Sequence, residues 1–429
     1  MDAKMEASAK TDAKMDSTMD TLIPSRTARP ADDPIFALNT EANARRARGE
    51  PTVNATVGAL LDDDGKLAIL PSVIDALREV PPVQAAGYAP LAGPDSFNRA
   101  VVADLLAGTP MAEHAIAVAT PGGTGALRHA VANFLEPGQA LLTSSFFWGP
   151  YKTIADENDR KVETFPMFRG DGDQPGELDV DALAAGMQRQ VAAQGRALIF
   201  LNDPCQNPTG YSMRAPQWKA LVDAVGDAAR RAPVTLLVDI AYYLYASGDP
   251  RAFLAHLQPL VGKAGLCFAW SGSKSFAQYG ARIGAMIVVD PDVGRRQRVR
   301  DALAYSCRGT WSNCNHGAML AVARLLSEAP LRAKVDGERA ALVKLLDGRV
   351  RAFNEAAAGT ALRYPRYDGG FFVTVLTPRG VDAHEAAAKM RADGVFVVPQ
   401  QGGLRVALCS VAARDVPRLV ESLDRAVAR

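Results

Sequence analysis

The sequence lacks the features of three large classes of protein. No apolar run approaches the roughly 18 residues that a membrane-spanning helix needs, and the N-terminus has no apolar secretory core. Lysine and arginine number 48 against 47 aspartates and glutamates, so no excess charge indicates a nucleic-acid or acidic partner. These absences predict a cytoplasmic globular protein without a membrane or nucleic-acid partner.

Cysteine is scarce and unpatterned. The chain has five cysteines, an odd number, and no CxxC pair. They are Cys205, Cys267, Cys307, Cys314 and Cys409, mostly in apolar surroundings. This distribution is typical of free thiols in a reducing compartment and predicts no metal site.

Two common nucleotide-binding signatures are also missing. The glycine-rich run Gly122-Gly-Thr-Gly125 is not followed by the Gly-Lys-Ser/Thr of a Walker loop and does not fit GxGxxG. A nicotinamide dehydrogenase is therefore disfavoured. A ligand-sensing transcription regulator would need a DNA-binding domain, for which residues 1–30 are too short and patternless.

The N-terminal 30 residues have low complexity. The tetrapeptide Asp-Ala-Lys-Met occurs at 2–5 and again at 12–15, without a hydrophobic face. We predict a disordered tail at residues 1–30. A helical stretch at 35–48 follows, and an Asp-Asp-Asp-Gly-Lys turn at 62–66 is expected to close a small hairpin.

The middle of the chain repeats an apolar strand, a short loop and an amphipathic helix. This order is typical of a parallel sheet with crossover helices. The predicted strands are 115–119, 140–142, 197–201, 234–238, 266–270 and 285–289. Because ligands bind at the carboxyl ends of parallel strands, the polar and aromatic groups after the first five strands should converge on one crevice.

The C-terminal third predicts a second, smaller α/β unit. Helices are expected through 316–326 and 331–353, strands at 370–375, 394–398 and 404–408, and a last helix at 411–427. At 429 residues the chain exceeds the usual size of one domain. We predict a large domain at 58–320 and a small domain formed by 31–57 with 321–429.

Lys274 lies between two apolar, strand-like runs, 265–270 and 284–289. Burial there would lower the pKa of its amine and favour the neutral form, which can form a Schiff base with a carbonyl. Its small and hydroxyl-bearing neighbours could hold a phosphate together with Arg282; these neighbours are Ser271, Gly272, Ser273 and Ser275. The alternative is an ordinary strand-to-loop connection that contains one lysine by chance.

Three further groups each have a functional and an ordinary interpretation. The run 122–125 opens a helix, where backbone N–H groups bind anions, although such a run is often only a turn. Asp239 ends an apolar strand, either as a helix cap or as the partner of a protonated heterocyclic nitrogen. Trp148 is either plain core or a flat surface for a planar ring.

Together these groups resemble a known family, the fold-type-I pyridoxal-phosphate (PLP) aminotransferases, and within it the aspartate and aromatic amino-acid subgroup. The resemblance covers residues from about 50 to 410. It rests on the runs Gly122-Gly-Thr-Gly-Ala-Leu127, Asn207-Pro-Thr-Gly210, Asp239-Ile-Ala-Tyr242, Ser271-Gly-Ser-Lys274, Arg282-Ile-Gly284, Arg308 ahead of Trp311-Ser-Asn313, and Leu404-Arg405-Val-Ala. It implies an α/β fold with a mainly parallel central sheet in a large domain and a smaller α/β domain.

The resemblance also implies roles around the cofactor, pyridoxal 5′-phosphate. Lys274 would form the Schiff base with the cofactor and move the substrate Cα proton. Asp239 would pair with the pyridinium nitrogen, and Tyr242 would hydrogen-bond to the phenolic oxygen of the cofactor. Trp148 would stack on the ring. The other implied cofactor ligands are Asn207, Gly123, Thr124, Ser271, Arg282 and, from a second subunit, Tyr88.

For the substrate, the resemblance implies that Arg405 clamps the α-carboxylate. Arg308 of a second subunit would meet a distal carboxylate, and Gly58 would lie over the substrate, with Trp148 and Asn207 beside it. The implied enzyme is a homodimer that moves an amino group from an acidic or aromatic L-amino acid to a 2-oxo acid, 2-oxoglutarate, by a ping-pong route. A PLP-dependent lyase or decarboxylase, or a PLP-sensing regulator, would share most of these residues.

The sequence departs from the family pattern at three places. Tyr151 stands where subgroup members usually carry a histidine that supports the aspartate. The run Asn202-Asp-Pro-Cys-Gln206 stands where histidines are common, and Cys314-Asn315 replaces a Pro-Pro pair. These changes leave the chemistry intact and leave the substrate open.

Overall fold

A computed structural model describes residues 21–30, 34–170 and 176–428. We predicted a disordered tail at residues 1–30, and positions 1–20 of it lie outside the described residues. Its last ten residues contain one helical turn, Pro24–Arg26. The side chain of Arg26 lies 3.4 Å from Glu157 Oε1, so this end of the segment contacts the body of the protein.

In the described ranges, twelve strands form three sheets. They are β1 (Val53–Asn54), β2 (Ala115–Pro121), β3 (Ala140–Ser144), β4 (Lys161–Phe165), β5 (Ala197–Asn202), β6 (Val234–Asp239), β7 (Gly265–Ser271), β8 (Ile283–Val289), β9 (Phe372–Leu376), β10 (Val395–Phe396), β11 (Val398–Gln400) and β12 (Gly403–Ala407). The largest sheet has the order β2-β8-β7-β6-β5-β3-β4. In this sheet β8 runs antiparallel to the other six strands, which are parallel to one another. The mainly parallel sheet predicted from the sequence is therefore confirmed.

The inner strands β5 to β8 are buried along almost their whole length. Their uninterrupted apolar runs suit a sheet that is covered on both faces, and this explains why the sequence identified them. The edge strand β4 was missed. Its sequence, Lys-Val-Glu-Thr-Phe, exposes polar side chains and has no apolar run to detect.

Helices cover the sheets. They are Pro34–Ala47, Pro71–Arg78, Pro82–Ala86, Asp95–Leu106, Gly122–Phe134, Pro150–Glu157, Val180–Gln194, Ala215–Ala229, Leu254–Leu257, Gly272–Ser275, Val293–Arg308, His316–Ser327, Ala329–Ala357, Ala383–Ala392 and Val416–Val427. The last helix begins five residues later than predicted, because Pro417 fits only the first turn of a helix. No helix within the described ranges is both long and apolar enough to cross a membrane.

The C-terminal unit packs together with the N-terminal segment that contains β1. Its antiparallel sheet has the order β11-β12-β9, and β1 pairs in parallel with β10. The strand predicted at 394–398 is thus two short strands, in different sheets. Val53 and Ala55 share one apolar core with Val406 and Leu419. The expected hairpin is present as a bridge between Leu61 and Leu67. The exact domain boundaries stay a prediction.

Gly210 lies where a loop of the large sheet meets the smaller unit. Its φ is +73°, and a Cβ there would lie 2.2 Å from the backbone oxygen of Phe372 and 2.5 Å from the Tyr367 ring. Neither a backbone oxygen nor a buried ring can move aside cheaply. We expect Gly210→Ala to destabilise the protein by roughly 3 kcal/mol, measured as a lower thermal midpoint.

A matched control is available in the helix Ala329–Ala357. Gly348 has open space around its Cβ position and no unusual φ. Gly348→Ala should stabilise the protein by about 0.5–1 kcal/mol, because alanine favours a helix. A Gly210→Ala protein as stable as the wild type would contradict the steric argument.

His129 is the one fully buried histidine of the described chain, on the helix Gly122–Phe134. Neither ring nitrogen has a hydrogen-bond partner among the described residues, and the ring centroid lies 4.8 Å from that of Trp311. Burial, and secondarily the charge of Arg128, lowers the pKa of His129 to about 3. The folded protein therefore holds this histidine neutral.

The low pKa of His129 predicts acid sensitivity. Its contribution to stability is complete above the unfolded pKa, about 6.5, and is lost as pH falls towards the folded value. The free energy of unfolding falls by about 1.4 kcal/mol per pH unit over this range. Between pH 7 and 5, His129→Phe should therefore lose about 2 kcal/mol less of its free energy of unfolding than the wild type does. Thermal midpoints at pH 7, 6 and 5 test this, with the exposed His384→Gln as control. Parallel curves for the wild type and His129→Phe would contradict it.

Candidate active site

A cavity of about 130 Å³ opens at the carboxyl ends of the strands of the large sheet. Its lining residues are Gly123, Thr124, Leu127, Trp148, Asn202, Asn207, Asp239, Ala241, Tyr242, Ser271, Ser273, Lys274 and Arg282. The predicted cofactor-binding residues all lie on this wall except Tyr88. The groups that follow five separate strands therefore do converge on one crevice.

Lys274 lies in a single helical turn, Gly272–Ser275, directly after β7. Its Nζ atom lies 5.5 Å from the ring centroid of Tyr242 and 5.7 Å from that of Tyr279. Tyr245 donates a hydrogen bond of 3.2 Å to the backbone oxygen of Lys274. Burial lowers the pKa of the amine to about 8, against the opposing effect of the Asp239 carboxylate. Near pH 8, half of this amine is the neutral nucleophile.

The pKa of Lys274 predicts how the cofactor-free protein reacts with an aldehyde. Because only the neutral amine attacks a carbonyl, capture of pyridoxal phosphate should become faster as pH rises through about 8 and level off above it. An ordinary surface lysine would continue to gain reactivity up to about pH 10.4. Stopped-flow absorbance from pH 6.5 to 10 measures the rate. A rate that still rises steeply above pH 9 would contradict the low pKa.

Asp239 ends β6 and is 6% exposed. Its Oδ2 accepts a hydrogen bond of 2.8 Å from the Tyr151 hydroxyl, and its Oδ1 accepts one of 3.2 Å from the Ala241 N–H. The pKa of Asp239 lies above its usual value because burial raises it by more than these two hydrogen bonds and the Lys274 charge lower it. The site thus presents a supported carboxylate to a ligand cation.

Asn207 and Tyr242 form one polar edge of the cavity. Asn207 Nδ2 donates to the Tyr242 hydroxyl at 3.3 Å, and the Asn207 N–H donates to Asn202 Oδ1 at 2.6 Å. Asn207 Oδ1 is buried and has no partner among the described residues. A buried acceptor in that state costs about 1–3 kcal/mol, so this edge favours a polar ligand.

Arg282 lies against the start of the helix Gly122–Phe134. It adopts a left-handed φ of +53° and donates to Ser273 Oγ at 3.2 Å and to the backbone oxygen of Tyr279 at 2.9 Å. Any Cβ at Gly122 would lie 2.5 Å from Arg282 Nη2, so only glycine allows this approach. A guanidinium beside a helix N-terminus binds anions, above all phosphate. The hydroxyls of Thr124 and Ser271 line the same cavity.

Arg405 and Gly58 lie near the cavity, on the side of the smaller unit. Arg405 is 6% exposed and donates to the backbone oxygen of Thr56 at 2.5 Å. Its guanidinium carbon lies 4.8 Å from the Phe372 ring, which contacts the Tyr242 ring edge-on at 5.6 Å. A Cβ at Gly58 would lie 2.4 Å from the same Phe372 ring. Phe372 thus connects the predicted substrate residues to the cavity.

Four predicted residues do not line the cavity of their own chain: Arg405 and Gly58, which lie near it, and Tyr88 and Arg308, which lie on the surface. Tyr88 is 92% exposed. Arg308 ends the helix Val293–Arg308, and its Nη1 donates to Ser312 Oγ at 2.7 Å on the surface. Action from a second subunit, as expected for both Tyr88 and Arg308, stays a prediction.

Sequence reasoning assigned no role to several residues of this site. Leu127, Asn202 and Ala241 line the cavity, and Tyr151 contacts Asp239. Tyr279 faces Lys274 and accepts a hydrogen bond of 2.9 Å from the Leu60 N–H. The only available signals were that Tyr279 lies in the lysine loop and that Tyr151 replaces a histidine. Ser273, which the sequence offered as a phosphate ligand, does line the cavity.

Residues 50–423 match the family model for aminotransferase class I and II. The chain belongs to this family. An aromatic-amino-acid aminotransferase of Pseudomonas aeruginosa is 30% identical over 426 residues, 94% of this chain and 99% of that protein. An aspartate aminotransferase of the same species is 28% identical over 352 residues, 77% of this chain and 82% of that protein. The crystal structure of an aminotransferase from Anaerococcus prevotii covers 96% of this chain and 100% of its own, with a TM-score of 0.88 and 30% identity.

The family confirms the resemblance, the fold class and the cofactor inferred from the sequence. Aminotransferases of this class depend on pyridoxal phosphate, and the residues present fit that group. The Arg282 cradle suits its phosphate, the Asp239 carboxylate suits its ring nitrogen, and Lys274 suits its aldehyde. The unpartnered Asn207 Oδ1 is a polar position that a ligand would satisfy. The dehydrogenase and non-catalytic alternatives are thereby set aside.

Proposed function

We propose that this aminotransferase moves an amino group from an acidic or aromatic L-amino acid to 2-oxoglutarate, in the two half-reactions of a ping-pong cycle. One observation carries the proposal: a single cavity is lined by the Lys274 amine with its lowered pKa, the hydrogen-bonded Asp239 carboxylate and the Arg282 guanidinium, which can bind an anion. The relatives from Pseudomonas aeruginosa, named for aromatic amino acids and for aspartate, support the donor class.

Each residue has a distinct task in this proposal. Lys274 would hold the cofactor through its aldehyde, and its amine would accept and return the proton at the substrate Cα, a task for which a pKa of about 8 is well matched. When bound, pyridoxal phosphate supplies an electron sink that makes this proton acidic. Asp239 would hold the ring nitrogen in its charged form, and Trp148 would cover a ring face.

The substrate contacts extend to the smaller unit and to a second copy of the chain. We assign the α-carboxylate to Arg405, whose planar fork can donate two parallel hydrogen bonds. Tyr88 and Arg308 of one copy would complete the cavity of the other, as their exposed positions permit, and the active form would be a homodimer in the cytoplasm. Arg308 would then read the distal carboxylate of an acidic donor.

A panel of amino donors tests the function. The cofactor-loaded protein is mixed with L-aspartate, L-glutamate, L-phenylalanine, L-tyrosine, L-tryptophan and L-alanine, without an acceptor. An effective donor should change the cofactor absorbance and yield one equivalent of its 2-oxo acid, and 2-oxoglutarate should then allow turnover. Release of ammonia or carbon dioxide would instead identify a lyase or decarboxylase. No 2-oxo acid from any acidic or aromatic donor would refute the proposal.

A further inference from the structure

Tyr151 is a fully packed side chain beside the site, 1% exposed, on the helix Pro150–Glu157. Its ring stacks on Phe147, at 6.2 Å between centroids and an interplanar angle of 18°. It meets Phe200 edge-on at 5.2 Å and Trp148 edge-on at 5.9 Å. Three aromatic contacts therefore fix the direction in which its hydroxyl points.

The hydroxyl of Tyr151 is committed to Asp239. It donates to Oδ2 at 2.8 Å, and burial together with the neighbouring carboxylate raises the pKa of Tyr151 well above its usual value of 10. The phenol is therefore a permanent donor. The other groups that act on the Asp239 carboxylate are the Ala241 N–H and the Lys274 charge. Within the described residues, Tyr151 is the only side chain that donates a hydrogen bond to this carboxylate, whereas Asn202 donates to the backbone oxygen of Asp239.

We propose that Tyr151 is a positioning residue: its phenol fixes the Asp239 carboxylate and thereby sets how strongly the cavity prefers a ring that carries a nitrogen cation. The inference rests on the proposed function, because it assumes that the cofactor ring nitrogen faces Asp239. Without the phenol, the buried carboxylate would lose a short hydrogen bond and would more readily take up a proton. A neutral carboxyl would no longer favour a ring cation over an uncharged ring.

The test compares two phosphorylated ligands that lack the aldehyde, so that no bond to Lys274 contributes. One is 4′-deoxypyridoxine 5′-phosphate, and the other is the same molecule with a benzene ring in place of the pyridine. Their dissociation constants are measured by calorimetry on the full-length, cofactor-free protein, whose folding is checked by circular dichroism. The wild type should prefer the pyridine ligand, and Tyr151→Phe should reduce that preference roughly ten- to a hundredfold.

Tyr211→Phe is the matched control. Tyr211 is equally buried, at 2% exposed, and its hydroxyl accepts a hydrogen bond of 3.3 Å from the Leu178 N–H, but it does not line the cavity. It should keep the wild-type preference. If Tyr151→Phe also keeps the preference, or weakens both ligands equally, Tyr151 has only a packing role and the inference is wrong. Failure of the wild type to bind pyridoxal phosphate at all would instead refute the proposed function.

Discussion

Replacement of Lys274 by alanine should lower the rate of amino transfer by at least about 10⁴-fold. General acid–base catalysis alone contributes about 10² to 10⁴, and the variant also loses the amine that bonds to the cofactor. Among the described cavity-lining residues, Lys274 is the only primary amine, so nothing on that wall replaces it. The loss is measured as the rate of turnover of the best donor from the panel with 2-oxoglutarate as acceptor, and a coupled assay detects the glutamate formed.

The same variant tests covalent attachment directly. Borohydride reduction of the loaded wild type should label one peptide, the one that contains Lys274, and Lys274→Ala should remain unlabelled. Lys263→Ala is the control, because Lys263 is an exposed lysine in the turn just before β7. It should keep both activity and label. Reduction that labels another peptide in the wild type would overturn the assignment of the catalytic lysine.

Arg405→Lys should lower kcat/KM for amino donors by about a hundred- to a thousandfold, mainly through a higher KM. Truncation of one partner of a buried charge pair costs about 2–5 kcal/mol. Lysine keeps the charge but cannot donate two parallel hydrogen bonds to a carboxylate. The structure holds this guanidinium in place, because the backbone oxygen of Thr56 accepts a hydrogen bond from Nη2 and the Phe372 ring lies 4.8 Å from the guanidinium carbon.

Steady-state kinetics with the best donor and with 2-oxoglutarate measures this effect on both half-reactions. Since both substrates carry an α-carboxylate, both KM values should rise together. Arg418→Lys is a matched control, because Arg418 is half-buried and, among the described residues, donates to the backbone oxygens of Pro51 and Asp393. If Arg405→Lys leaves both KM values unchanged, the α-carboxylate binds elsewhere.

Much of the fold follows from local pattern. The inner strands are short apolar runs, and burial on both faces of a sheet requires that pattern. The convergence of Asp239 and Lys274 also followed from the sequence, because parallel strands place their carboxyl ends at one edge. Local pattern failed where burial is one-sided, at β4, and where one residue limits an element, as Pro417 limits the last helix.

The partners of the site residues could not be predicted in this way. Tyr151 and Asp239 are 88 residues apart in sequence, and Tyr279 and Leu60 are 219 apart. No periodicity of 2.0 or 3.6 residues carries information about such pairs, because they depend on how separate elements pack. The lack of a hydrogen-bond partner for the two His129 ring nitrogens among the described residues could not be predicted for the same reason. A helical pattern shows that a residue is buried but not which groups face it.

The sequence by itself determined which residues we propose for the chemistry: an amine after an apolar strand, an aspartate at a strand end and glycines before a helix. Only the tertiary structure decided how each is supported, with a phenol on the carboxylate, two aromatic rings around the amine and a guanidinium over a glycine. The physical reason is range. Strand burial and helix starts depend on neighbouring residues, whereas pKa values and ligand preference depend on groups that only folding brings within a few ångströms.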